Sequence, residues 1–291
     1  RAEGHDRLPG EAQPAELRYA GRMASRLRRL ARRVLERVGL IGPYYRWRER
    51  QAVRAADDEA VEDGRPMPPA DLAMLVSGPS RRWFSEQGRA HAQMIRGLAA
   101  RHGADFEAGL DVLDFGCGAG RIARWLAPGV IAGGGVFTGS DLNPRLVAWC
   151  AANLPGRYLS NGLKPPLDVA GHSQDLVYGY SVLTHLTEAT ARAWLAELAR
   201  VIRPGGLAVL SFHDEAYAAR WGPPEVAGEL SHRPYVVWNN ALEGSNYLSA
   251  WTTRAHLAAL AGHAFEVLEI VPGRTDEPAQ ALAVLWAKPR T

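Results

Sequence analysis

Lysine and cysteine are scarce in this 291-residue chain, and long apolar runs are missing altogether. The two cysteines, Cys117 and Cys150, cannot build a disulfide framework, and their spacing fits no zinc site, so no metal centre is expected. No apolar run approaches the roughly 20 residues that span a bilayer, and no charged-then-apolar stretch of the signal-peptide kind is present. A reducing cytoplasm is therefore the expected compartment, with a peripheral position at the inner membrane face left open by the charge pattern below. Hydrophobic content of 47% and charged content of 22% are those of an ordinary soluble globular protein.

With only Lys164 and Lys288 as lysines, nearly all positive charge is arginine, and it is unevenly placed. Residues 18–50 hold eleven arginines against Glu36 and Glu49, a net +9; the whole chain carries +3, so the remainder carries −6. Met23, Leu27, Leu30, Val34, Leu35 and Val38 recur at three- and four-residue steps, which predicts a basic amphipathic helix over 15–38. Such a helix can dock its apolar stripe on the body or on a second copy of the chain, lie on an anionic membrane, or bind nucleic acid. The acidic body lacks an aromatic-interleaved basic patch, so nucleic acid is not expected as a partner. Residues 1–14 read as a disordered tip. A second helix is expected from Tyr44 to about Ala60, followed by the proline-rich linker Glu62–Asp71 and a domain over 71–291.

In that domain a helix is expected from Ser80 to His102. Beyond it, short apolar runs alternate with helical patterns. Strands are expected at Leu110–Phe115, Gly135–Asp141, Arg157–Leu159, Ser173–Tyr180, Gly206–Phe212, Phe265–Val271 and Ala281–Trp286. Helices fit at Arg121–Ala127, Pro144–Asn153, Glu188–Ile202 and Thr253–Gly262. The alternation implies right-handed crossovers and a Rossmann-like α/β fold with a mostly parallel sheet. Pro272–Gln280 is too short for a helical crossover, so the last strand should return antiparallel.

The stretch "VLDFGCGAGR" (Val112–Arg121) places glycines at 116, 118 and 120 directly after the first strand. Glycines let a backbone approach a ligand closely, and the helix that follows presents free N–H groups. A tight turn without a ligand could use the same glycines. A dinucleotide site wants a third glycine at position 121, where this chain has Arg121. Asp141, at the end of the second strand, can accept hydrogen bonds from a ribose diol in either ligand class. The glycine spacing therefore favours an adenosyl ligand without a pyrophosphate, and it disfavours a nicotinamide-dependent oxidoreductase.

These segments, with "GSDLNPRLVAWCAANLP", "QDLVYGYSVLTHL" and "LAELARVIRPGGLAVLSFH", resemble the successive motifs of class I S-adenosylmethionine-dependent methyltransferases over residues 108–290. The segments "NGLKPPL" and "SVLTHLTEATARAWLAEL" are similar to bacterial methyltransferases of polysaccharide and secondary-metabolite clusters. The resemblance implies a seven-stranded sheet with its last strand antiparallel, and S-adenosylmethionine as cofactor. It implies that Asp114 and the turn Gly116, Cys117, Gly118 and Gly120 surround the methionine moiety, and that Asp141 binds the ribose. Leu142 would pack on the adenine. Asn161 and Gly162 stand where the family often has an acidic residue at the adenine edge. Tyr180 and Ser181 would close over the transferable methyl. Asp175 reads as structural, and Cys117 as a packing residue rather than a nucleophile.

A sulfonium methyl is already electrophilic, so the expected catalysis is alignment plus, for a hydroxyl acceptor, a base. His213 and His185 both follow strands at the carboxyl edge of the sheet, and His213 is placed slightly ahead. The insertion Asp214–His263 carries Tyr217, Trp221, Tyr235, Trp238, Tyr247 and Trp251 beside Asn239, Asn240 and Asn246. These suit a sugar, or else fill the core of a cap over the site. The expected function is O-methylation of a small molecule or glycan; a non-catalytic adenosyl-binding partner protein is the alternative.

Overall fold

The apolar runs become strands because their alternate side chains can be buried on both faces of one sheet. The parallel strands are β1 (Val112–Phe115), β2 (Phe137–Asp141), β3 (Arg157–Ser160), β4 (Gln174–Gly179) and β5 (Ile202–Phe212). A short pair, β6 (Tyr235–Trp238) and β7 (Ser249–Thr252), stands apart as an antiparallel two-stranded sheet. With β8 (Phe265–Val271) and β9 (Ala281–Ala287) the main sheet has seven strands in the order β3-β2-β1-β4-β5-β9-β8. As expected, β9 is antiparallel. It pairs with β8 as a hairpin partner and also inserts between β8 and β5, which the sequence does not announce.

The computed structural model describes residues 34–35, 38–54, 64–78, 80–274 and 279–288. The tip at 1–14 and nearly all of the helix expected over 15–38 lie outside the described residues. The helices are α1 (Ile41–Arg54), α2 (Ala70–Ser77), α3 (Arg81–Arg101), α4 (Ala123–Ala132), α5 (Pro144–Asn153), α6 (Glu188–Val201), α7 (Glu215–Trp221), α8 (Pro224–Leu230) and α9 (Arg254–Gly262). Side-chain oxygens of Ser80, Asn143, Thr187 and Thr253 cap α3, α5, α6 and α9 by accepting backbone N–H groups. On one face of the sheet Trp194, Leu195 and Leu198 of α6 pack with Leu257 and Leu260 of α9 against Leu113 and Val177. On the other, Ile95 and Leu98 of α3 pack with Leu126 and Val130 of α4 against Val112 and Leu176. Among the described residues no helix is long and apolar enough to cross a membrane.

The chain divides into two compact units, residues 1–47 and 48–291. The end of the expected proline-rich linker is bound within the larger unit. Pro128 lies inside α4 and has no N–H to give to the carbonyl one turn back, that of Arg124. Arg65 Nε donates to that oxygen instead (3.1 Å), and Arg124 Nη2 donates to the Arg65 carbonyl (2.9 Å). The Arg65 guanidinium also lies 4.0 Å from the Trp125 ring centroid. Replacing Arg65 by alanine is expected to lower unfolding stability by roughly 1–2 kcal/mol in a denaturant titration, since a buried carbonyl loses its donor.

The insertion after β5 forms a cap of α7, α8, β6 and β7. Its last helix, α9, belongs to the helical layer of the sheet, because Leu257 and Leu260 face the main core. Trp251 packs with Ala218, Val226, Leu230 and Val236 in a small core of the cap, joined by Tyr217 and Trp238. Tyr235 is buried, and its hydroxyl donates to the Leu186 carbonyl (3.0 Å).

Candidate active site

The turn after β1 is tight because three of its residues adopt left-handed backbone: Gly116 (φ 78°), Gly118 (φ 53°) and Gly120 (φ 73°). Their reasons differ. A β-carbon on Gly116 would come within 2.3 Å of Val182 Cγ2, and one on Gly118 within 2.9 Å of Val76 Cγ2. Both glycines line a cavity of about 260 Å³ at the carboxyl edge of the sheet. Gly120 does not. A β-carbon there would meet Leu154 Cδ1 at 2.2 Å, so its task is close packing on α5. Cys117 also lies behind the wall, buried beside Cys150, and burial with that second thiol pushes its ionisation well up. It is a packing group, inert as a nucleophile.

Asp141 ends β2 on the cavity wall. Its Oδ2 accepts the Gly118 N–H (2.9 Å) and its Oδ1 the Asn143 N–H (2.8 Å). Each carboxylate oxygen keeps further lone-pair capacity for a ligand hydroxyl. Burial raises the pKa of Asp141, tempered by those backbone donors. Leu142, an apolar side chain 44% exposed, stands on the same wall with Asn161 and Gly162. Asn161 Nδ2 donates to the Gly162 carbonyl (2.8 Å), while its Oδ1 is buried without a donor.

Asp114 is buried behind this wall, in register with Gly139 of β2 and Tyr178 of β4. Burial raises its pKa to about 7; Asp141 pushes the same way, and Tyr178 and Arg121 oppose. Neither Asp114 Oδ2 nor Tyr178 Oη completes a hydrogen bond of ordinary geometry. Asp114 is not among the residues that line the cavity. Arg121, at the position where a dinucleotide turn wants glycine, is 6% exposed. Its Nη1 donates to His91 Nδ1 (2.7 Å), and its guanidinium lies 5.5 Å from the Tyr180 ring centroid. The His91 ring stacks on Tyr180 at 3.9 Å, and burial with Arg121 lowers its pKa to about 3. This support of Tyr180 from α3 has no counterpart in the sequence motifs.

The two candidate bases separate clearly. His185, in the one-turn 3₁₀ helix Leu183–His185, lines the cavity. Its Nδ1 is 2.7 Å from the Leu248 carbonyl, which can only accept, so Nδ1 carries the proton and Nε2 keeps its lone pair. Burial lowers its pKa. His213, placed ahead on sequence grounds, is absent from the cavity wall. It lies under Tyr217 of α7 with ring centroids 4.2 Å apart, and its Nδ1 faces the Ala250 carbonyl at 3.2 Å. Burial, with His185 nearby, lowers its pKa to about 3. Its packing under α7 makes it part of the cap's foundation.

The cap closes over His185 through residues 243–247. The Gly244 N–H donates to the His185 carbonyl (3.0 Å), and Glu243 Oε1 accepts the Thr187 N–H (2.7 Å). Asn246 Nδ2 donates to the Leu75 carbonyl of α2, and Asn239 Nδ2 to the Tyr247 carbonyl (2.7 Å). Asn239 and Asn246 thus help to hold the loop, and Asn246 also lines the cavity. Of the six cap aromatics only Tyr247 lines the cavity. Leu75 and Val76 of α2 form the remaining roof, a contribution the sequence motifs did not signal.

Three buried neutral histidines set an acid limit. His91, His185 and His213 have folded pKa values below 6.5, so their stabilising share is complete above that value and is lost as pH falls toward about 3. Asp114 and Asp141 run the other way, the Asp114 share being lost as pH rises toward about 7. The three histidines outnumber these two carboxyls. Unfolding free energy near pH 5 is expected to rise with pH by roughly 1–3 kcal/mol per unit, measured by denaturant titrations at several pH values.

Residues 112–206 match a protein family described as "Methyltransferase domain". An uncharacterized methyltransferase of Synechocystis sp. is 28% identical over 116 residues, which cover 40% of this chain and 53% of the relative. The chain thus spans about half the length of that curated relative. The fold is similar to that of an S-adenosylmethionine-dependent methyltransferase from Mesorhizobium loti (19% identity, TM-score 0.53, covering 69% of this chain and 99% of that one). It is also similar to a 1,6-didemethyltoxoflavin-N1-methyltransferase of Burkholderia thailandensis, solved with S-adenosylhomocysteine (17% identity, TM-score 0.51, covering 70% and 81%).

Proposed function

Because residues 112–206 belong to the class I S-adenosylmethionine-dependent methyltransferases, we propose that the chain methylates a hydroxyl oxygen of a small molecule or glycan. The observation that carries this reading is His185, which lines the cavity with Nδ1–H held by the Leu248 carbonyl and the lone pair left on Nε2. A base of that kind has work only if the acceptor atom must lose a proton as the methyl arrives.

The residues present fit an adenosyl cofactor. Asp141 offers acceptor capacity for a diol, Leu142 an exposed apolar surface for a flat ring, and Asn161 Oδ1 an unmet acceptor for an amino group. When bound, that cofactor supplies an electrophilic methyl on a sulfonium. The chain's own tasks are to hold the cofactor, align the acceptor, exclude water with α2 and residues 243–247, and receive the acceptor's proton at His185 Nε2. Asp114 adds a charge effect. A cationic sulfonium favours its ionised form, so affinity for S-adenosylmethionine relative to neutral S-adenosylhomocysteine should rise with pH through about 7, checked by calorimetry.

The test is methyl-labelled S-adenosylmethionine incubated with a cell extract and wild-type or Asp141→Ala protein, with label followed into lipid, polysaccharide, small-molecule and macromolecular fractions. Label that depends on Asp141 is expected in one fraction. Cofactor binding with no transfer into any fraction would favour a non-catalytic adenosyl-binding protein. The net +9 of residues 18–50 suits an anionic lipid surface, and label in the lipid or glycan fraction is the outcome expected on that view.

A further inference from the structure

Ser181 follows β4 and lines the cavity four residues before His185. It has left-handed backbone, φ 62°, unusual for a residue with a side chain. What holds it there is a closed ring of hydrogen bonds across three strands. The Ser181 N–H donates to Ser211 Oγ at the end of β5 (2.7 Å). Ser211 Oγ donates its one proton to Gln280 Oε1 (2.7 Å), just before β9. Gln280 Nε2 donates to Ser181 Oγ.

The direction of this ring has a chemical result. In this ring the Gln280 amide has its oxygen toward Ser211 and its nitrogen toward Ser181. An amide nitrogen donates and cannot accept. Ser181 Oγ therefore only receives from the ring, and no hydrogen bond among the described residues takes its own proton. With one lone pair taken by Gln280, Ser181 Oγ presents a proton that the ring leaves free, beside its second lone pair, at the cavity wall. A neutral or charged carboxyl in place of the amide would not impose the same direction.

We propose that Gln280 is a positioning residue that aims the Ser181 hydroxyl proton at a lone pair of the methyl acceptor, and that the acceptor using this donor is an oxygen. A hydroxyl oxygen has two lone pairs. One can accept from Ser181 and the other attack the methyl, while the hydroxyl proton goes to His185 Nε2; the new C–O bond forms as the methyl–sulfur bond breaks and its electron pair stays on sulfur. A neutral amine nitrogen has one lone pair, and accepting from Ser181 would occupy the pair needed for attack. The inference rests on the methyltransferase reading above and adds to it two residues and the hydrogen bond that one of them gives to the acceptor.

The test uses S-adenosylmethionine carrying ¹³C in its methyl, the full chain and a cell extract, with products read by NMR, which separates O-methyl from N-methyl carbons. Two variants accompany the wild type. Ser181→Gly removes the hydroxyl but suits the left-handed backbone, and Gln280→Glu keeps the shape while letting a carboxylate take the Ser181 proton. The expected result is an O-methyl signal from wild type, reduced roughly 10–100-fold in rate in both variants. Calorimetric affinity for S-adenosylhomocysteine should be retained, and the melting temperature of Ser181→Gly unchanged or raised. A purely structural role for Ser181 predicts that the glycine variant keeps full rate, and that result overturns the proposal. An N-methyl product from wild type overturns the proposal and the hydroxyl acceptor, but leaves methyl transfer itself standing. Wild type that forms no methylated product overturns both.

Discussion

Replacing His185 by alanine should lower the rate of methyl transfer by about 10²- to 10⁴-fold at saturating cofactor, with affinity for S-adenosylhomocysteine retained. The expectation follows from the direction of one hydrogen bond. The Leu248 carbonyl fixes the proton on Nδ1 and leaves the lone pair on Nε2, and burial lowers the pKa of the ring. His185→Asn, with an amide nitrogen placed to donate to Leu248, would preserve the contact but not the base, and it should be as slow as the alanine variant. His213→Asn should differ in kind. That residue sits under Tyr217 and away from the cavity wall, so its replacement should show first in melting temperature and only weakly in rate. Initial rates and thermal unfolding of the three variants check the contrast.

Asp141→Ala should weaken S-adenosylhomocysteine binding by about 100-fold, measured by calorimetry. Two ligand hydroxyls lose a charged acceptor, each such bond contributing roughly 1.5–3 kcal/mol, with partial compensation by water. The Gly118 and Asn143 N–H groups lose their acceptor as well, which loosens the turn that the glycines make tight. Asp141→Asn should fall between. It can accept on one oxygen, but its amide nitrogen opposes one of those two backbone donors. Because burial raises the Asp141 pKa, the folded protein bears a cost for this carboxylate, and its removal offsets part of the stability lost with those two hydrogen bonds.

Much of this was written in the chain. The central strands β1, β4 and β9 fall on apolar runs, since strands buried on both faces read as continuous apolar stretches, while the edge strands β3 and β8 mix polar residues in. The antiparallel return of β9 follows from the shortness of Pro272–Gln280. Gly116, Gly118 and Asp141 reach the cavity because the strand–turn–helix geometry leaves few other arrangements. The rest depended on side-chain direction. His185 and His213 occupy equivalent places after strands, and only the position of α7 over His213 tells them apart. Gly120 shares the motif of Gly116 and Gly118, yet it serves packing on Leu154. The cap aromatics carry no periodic signal, so their burial in a separate core became visible only when β6 and β7 were seen to pair. Gln280 and Ser181 are 99 positions apart, and the insertion of β9 beside β5 is what brings them together.

The most direct test of the account is a crystal structure of the protein with S-adenosylhomocysteine. The account predicts the ribose hydroxyls on the Asp141 carboxylate, the adenine between Leu142 and Asn161, and the sulfur on the side of the cavity that holds Ser181 and His185. A ligand bound elsewhere, or one whose sulfur faces away from His185, would contradict it.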